Sequence, residues 1–216
     1  MEGKGLSERK GARRTLGFFF YDVLHIAAAL AMIIYLAVAW SQAEIPSMRI
    51  FDMVAEFFSL LFSALLLVYI RFLYLPADAE AEKGRYALAW AILSFSLLFP
   101  ALTVSASYAY HRVDAPSGVI SSLIFQTLGV LFPVLAALLF GMAIAASKKE
   151  KVWKSLLVLG ISMIVLASLA NNFALACDIY ENLLEFHWTM VIKFLVFLAP
   201  LLPAAVSLLD LFTQEA

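Results

Sequence analysis

Charge is scarce in this sequence. Of its 216 residues, 14% are Asp, Glu, Lys or Arg, where a soluble domain carries about a quarter. A chain this poor in charge cannot clothe a soluble surface. The net charge is −1, so there is no basic face for nucleic acid. There is one cysteine, Cys177. That excludes an internal disulfide and a multi-cysteine metal site. Three scattered histidines argue against a bis-histidine haem core. No N-x-S/T sequon, HExxH or GxSxG occurs, so the motifs of glycosylation, zinc hydrolysis and serine hydrolysis are missing. The residues imply no cofactor, no metal and no enzyme.

Apolar side chains are plentiful instead. They make up 64% of the chain, and the mean hydropathy is +0.93. Six runs are long enough to cross a bilayer, which takes about 20 residues. They cover Gly17–Trp40, Ile50–Leu75, Tyr86–Tyr108, Gly118–Ala146, Val152–Ala176 and Phe186–Phe212. Short polar breaks such as "PADAEAEKGR" and "SKKEK" separate them. Backbone hydrogen bonds in a bilayer core must close within the protein, so the spans are predicted to be helices. No alternating ten-residue segments suggest a barrel. The expected fold class is all-α, a polytopic bundle of six transmembrane helices. Residues 1–16 form a basic cytoplasmic segment, 17–213 the bundle and 214–216 a short tail. The basic start resembles a signal peptide, but its apolar run exceeds the roughly 7–15 residues of a signal core and holds Asp22 and His25. It reads as an uncleaved first span.

Lys and Arg set the orientation. With the N-terminus inside, the inner segments hold Lys4, Arg9, Lys10, Arg13, Arg14, Arg71, Lys83, Arg85, Lys148, Lys149, Lys151 and Lys154. The outer ones hold Arg49 and Arg112. Both termini are therefore expected in the cytoplasm, and the membrane is expected to be a bacterial plasma membrane. Trp40 and Trp188 would mark the outer interface, Trp90 and Trp153 the inner one.

Polar residues inside the spans fall on helical stripes. Residues 4, 7 and 11 apart share a helix face. Asp52, Glu56, Ser59 and Ser63 keep that spacing. So do Ser96, Pro100, Thr103 and Ser107, and also Ser122, Gln126, Gly129 and Pro133. Lys193, Pro200, Pro203, Ser207 and Asp210 form a further seam. Ser168 shares a face with Asn171 and Asn172. Ser and Thr stripes are ordinary packing surfaces. Ionisable residues are different, because a charge at the bilayer centre costs about 2.5–3.5 kcal/mol even on the milder scales. Asp52 and Glu56 lie about 5 and 10 Å past Arg49 at 1.5 Å per residue, and Lys193 about 8 Å past Trp188. They share a layer in the outer half. Asp52, Glu56, Gln126, Asn171, Asn172 and Lys193 are the candidate substrate- or ion-binding residues. One lysine cannot neutralise two carboxylates, so a proton, a cation or a substrate amine would satisfy the second. A buried ion pair that fixes helix register is the competing reading.

Asp22 and His25 are adjacent on the first helix and are expected near the inner side, level with Arg71 and Asp210. A shallow structural pair is the preferred reading, with a proton relay as its alternative. Ala27–Ala31, "AAALA", has small-xxx-small spacing that suits a partner membrane subunit. The coarse architecture is similar to that of the substrate-binding components of energy-coupling-factor transporters, in topology and in such helix faces, with no shared motif. Together these features point to a small-solute or ion transporter, or its membrane-embedded substrate-binding subunit. An assembly or sensor protein is the alternative, ahead of an intramembrane enzyme, for which the sequence holds no catalytic motif.

Overall fold

The computed structural model describes residues 2–38, 46–73, 75, 77–111, 120–180 and 188–212. Trp40, Arg112, Glu181, Glu185 and His187 lie outside them. Arg49, Ser107, His111, Ser122 and Asp178 are described in backbone only. All regular elements among the described residues are α-helices: α1 Glu2–Val38, α2 Pro46–Leu73, α3 Ala79–His111, α4 Ile120–Ala145, α5 Glu150–Tyr180, α6 Trp188–Leu198 and α7 Leu201–Phe212. Six spans are long and apolar enough to cross a membrane, the sixth running through α6 and α7. The chain is a multi-pass membrane protein.

Local chemistry sets the helix ends. Pro46 opens α2, where its missing N–H costs nothing. Asp78 caps α3, its Oδ1 accepting the Ala81 N–H at 2.7 Å. The Arg85 guanidinium donates to the carbonyls of Phe72 and Leu75, both at 3.1 Å, and closes the C-terminal end of α2. Lys83 pairs with Glu150 at 3.2 Å, Lys154 with Glu150 at 3.5 Å and Lys148 with Glu80 at 3.8 Å. These contacts gather the start of α3, the α4–α5 turn and the start of α5 at one lysine-rich end.

Successive helices pack on one another from α1 to α5. α5 then meets α6 and α7, and α7 closes on α1. α3 also touches α5 and α6, so it is the central post. Its span is 72% buried, against 28–39% for the other five. Polar side chains on the packed faces mostly bond to their own helix. Ser94, Thr103, Ser168 and Ser207 each donate to a carbonyl three or four residues back, at 2.6–2.9 Å. The perimeter carries exposed Phe19, Phe20, Phe57, Leu138 and Leu209, the side chains that suit lipid.

Trp90 corrects one expectation. It is not an interfacial belt residue but the centre of the core, with no exposed surface. Phe18 packs edge-on against it at 5.1 Å and Phe140 stacks on it at 5.8 Å. Trp153 is buried too, and its indole N–H donates to the Lys83 carbonyl at 3.3 Å. Trp188 does lie exposed near the opposite end, edge-on to Tyr35.

The sixth span is not one helix. It breaks at Ala199–Pro200. Pro200 has no N–H for the Val196 carbonyl, and its ring crowds that turn. The Leu202 N–H reaches back to Ala199 at 3.3 Å, and α7 resumes with Ala204 bonded to Pro200 at 3.1 Å. Below the break, α7 lies directly on α1. A Cβ on Gly17 would stand 3.1 Å from the Pro203 Cα.

Candidate functional site

The polar face of α2 turns into the bundle. Glu56 is 5% exposed, Ser59 and Ser63 are fully buried, and Asp52 is half-buried. Lys193, half-buried on α6, lies close enough for its charge to act on Glu56, as does Asp52. No direct hydrogen bond or ion pair joins Glu56 to Lys193 among the described residues. Glu56 and the Lys193 ammonium thus share a region of low dielectric without closing into a tight pair. Such an arrangement leaves the solvation of Glu56 incomplete.

One turn deeper, Ser59 links three helices. His25 Nε2 on α1 lies 2.7 Å from the Ser59 hydroxyl. That hydroxyl donates to the Ser96 carbonyl on α3 at 3.1 Å. The Tyr21 hydroxyl meets the Ser96 hydroxyl at 2.5 Å, and Ser96 in turn donates to Leu93 at 2.8 Å. Asp22 is fully buried and His25 is 1% exposed. This corrects the expectation of a shallow pair at the inner surface. His25 lies near the middle of its span, opposite Ser59 of α2 and Ser96 of α3. Arg71 is exposed and about 18 Å along α2 from Ser59 at 1.5 Å per residue. Asp210 lies just past Ser207, which receives the Tyr86 hydroxyl, and Tyr86 is about 15 Å along α3 from Ser96. Neither is level with the Asp22–His25 pair. The two polar clusters that look separate in the sequence form one column down α2, from Asp52 to Ser63.

The remaining candidates sit elsewhere. Gln126 is buried on α4 and Asn171 on α5. The Asn171 amide donates to the Gly129 carbonyl at 3.2 Å and to the Ala167 carbonyl at 2.9 Å. A Cβ on Gly129 would collide with the Asn171 side chain, so the glycine is what lets the amide lie against α4. Asn172 is half-buried and donates to the Ser168 carbonyl at 2.8 Å. This is a helix-to-helix clasp. The six candidates thus divide between α2–α6 and α4–α5. Tyr21 is the site residue that sequence reasoning passed over. Its signal was its place beside Asp22 in an otherwise apolar run.

On α1, Ala28 and Ala29 face the bundle, Ala27 is exposed and Ala31 half-buried. The small-residue spacing therefore runs along the edge of the perimeter. Among the described residues no cluster of three or more His, Cys, Asp or Glu could hold a metal ion. No protein-family model, curated protein or solved structure matches the chain.

Proposed function

We propose that the protein is a transporter of a small cationic or amine-bearing solute, or the membrane-embedded subunit that binds it. The supporting observation is Glu56, a carboxylate buried inside a membrane bundle, in the field of Lys193 yet not bonded to it. A structural ion pair gains its energy by closing. In this reading a ligand's positive group would sit beside Glu56 and a negative or polar group beside Lys193. Asp52, nearer the helix end, would attract the cation on entry. The site would open away from the lysine-rich end, hence outward if that end is cytoplasmic in a plasma membrane. Gln126, Asn171 and Asn172 would then brace the α4–α5 wall without touching the solute.

The test is a thermal-shift screen of the purified protein against alkali cations, primary amines, amino acids and polyamines at fixed pH and ionic strength. At least one class should raise the unfolding temperature of the wild type and lose that effect in Glu56→Gln. A ligand that stabilises both proteins equally would place the site elsewhere. Under a second reading, as an assembly subunit, the Ala27–Ala31 edge of α1 would dock a partner helix. Purification of a stoichiometric complex, lost on Ala27→Leu, would favour that reading.

A further inference from the structure

We infer that Asp22 and His25 form a proton-binding dyad at the middle of the bundle, carrying one exchangeable proton between the Asp22 carboxyl group and His25 Nδ1. The inference goes beyond the solute reading and does not depend on it.

The Ser59 hydroxyl carries a single hydrogen. That hydrogen goes to the Ser96 carbonyl at 3.1 Å. Ser59 Oγ can therefore only accept in its 2.7 Å contact with His25 Nε2. So Nε2 carries the proton and donates, which fixes the tautomer. In the neutral ring, Nδ1 is then a bare acceptor. It is buried and has no partner. Asp22 sits one turn away on the same helix, where residues three apart are neighbours. Both of its carboxyl oxygens are buried and unpartnered.

These orphaned atoms are complementary. Asp22 and His25 make no direct hydrogen bond, so one proton would be shared through a bridging water, held either as a carboxylic O–H or as an Nδ1–H. Without that proton, a buried carboxylate and a bare ring nitrogen both lack a donor in a low-dielectric setting. Ser63 completes the set. Its hydroxyl is fully buried and unpartnered as well. The α1–α2 pairing sets His25 opposite Ser59, so the next turn sets Asp22 opposite Ser63. Ser63 would donate to the carboxyl oxygen that His25 does not use.

A proton suits this place better than a metal cation. The nearby stretches of α1 and α2 are unbroken helix, whose carbonyls are already engaged. One carboxyl group and one hydroxyl fall short of the six or so oxygens that hard cations require. The packed elements bring few other charges. α2 carries Asp52 and Glu56 toward one end and Arg71 toward the other, α6 carries Lys193 and α7 carries Asp210. α1 itself adds Tyr21, bonded to Ser96. None of these side chains hydrogen-bonds to Asp22. Binding is a plain exchange: one proton enters from water to make the neutral-pair state and leaves to regenerate the carboxylate and neutral imidazole.

The test is pH-difference infrared spectroscopy of the protein in liposomes, which reads carboxyl protonation whatever the protein transports. The wild type should show a carboxylic-acid band that appears on acidification. Asp22→Asn should abolish it. His25→Gln and Ser63→Ala should each shift it, since each changes a hydrogen bond to the carboxyl group. An unchanged band in folded Asp22→Asn, or a band indifferent to His25→Gln, would overturn the dyad. Nitrogen-15 spectra of His25 in the wild type give a check that needs no variant. They should show an Nε2-protonated ring whose Nδ1 signal moves as the proton binds. A ring protonated on Nδ1 alone, or one silent to pH, would equally overturn it.

Discussion

Gly129 and Gly84 are both helical glycines, yet alanine should act oppositely at the two. At Gly129 a Cβ would collide with Asn171, and Asn171 can withdraw only by giving up its two carbonyl partners. Gly129→Ala should cost about 1–3 kcal/mol, in the range of overpacking and of stranded buried amides. At Gly84 a Cβ meets nothing within 4 Å, so Gly84→Ala should be neutral or gain up to about 1 kcal/mol of helix propensity. Thermal unfolding in one detergent compares them, and equal effects would refute the clasp. Charge gives a second contrast. Lys193→Met leaves the buried Glu56 without the cation whose charge acts on it. It should destabilise more than the double change Glu56→Gln with Lys193→Met, though by less than the about 3–5 kcal/mol of a directly bonded buried pair. If the region binds a solute, the double variant should recover stability and still bind nothing. Matching, mild losses in all three variants would mean that these charges do not sense one another.

At the scale of elements, the two prolines of the last span do different jobs. Pro200 creates the break, whereas Pro203 is buried where α7 lies on Gly17. Pro200→Ala restores a donor for the Val196 carbonyl and should hold or raise the unfolding temperature. Pro203→Ala removes buried surface at the α1–α7 contact and should lower it. The reverse order would show that the break, not the contact, supports the fold. This pair also marks how far sequence alone reaches. Helix existence was legible because six apolar runs match the bilayer in length, and inward faces were legible where Asp52, Glu56, Ser59 and Ser63 repeat at helical spacing. The break was not, since prolines in membrane helices variously bend them, end them or merely sit in them. Depth between helices was not legible either. The Asp22–His25 pair looks shallow when counted from the N-terminus, and only the offset of α1 against α2 puts His25 beside Ser59. Trp90 misled for a related reason. A tryptophan early in a span suits an interface equally well until one knows that α3 is the central helix.

At the scale of the whole molecule, the polar column on α2 and the lysine-rich end give the bundle a direction. The ion pairs among Lys83, Lys148, Lys154, Glu80 and Glu150 show that the α2–α3 and α4–α5 connections share one end. Excess Lys and Arg is retained on the cytoplasmic side of membrane proteins, so that end should face the cytoplasm, with the Glu56 layer toward the other side. Labelling with a membrane-impermeant maleimide in intact cells tests this. The background is Cys177→Ser. Ser147 is a poor probe because it is 8% exposed, whereas Lys149 is exposed in the same turn. Lys149→Cys should stay unlabelled until the cells are opened, and Ser117→Cys, in the α3–α4 connection, should label at once. The opposite pattern would invert the protein and put the Glu56 layer on the cytoplasmic side, making any solute it binds an export substrate. Labelling of both positions from one side would require α4, which separates them in the chain, not to cross the membrane. That result would contradict the six-span architecture itself.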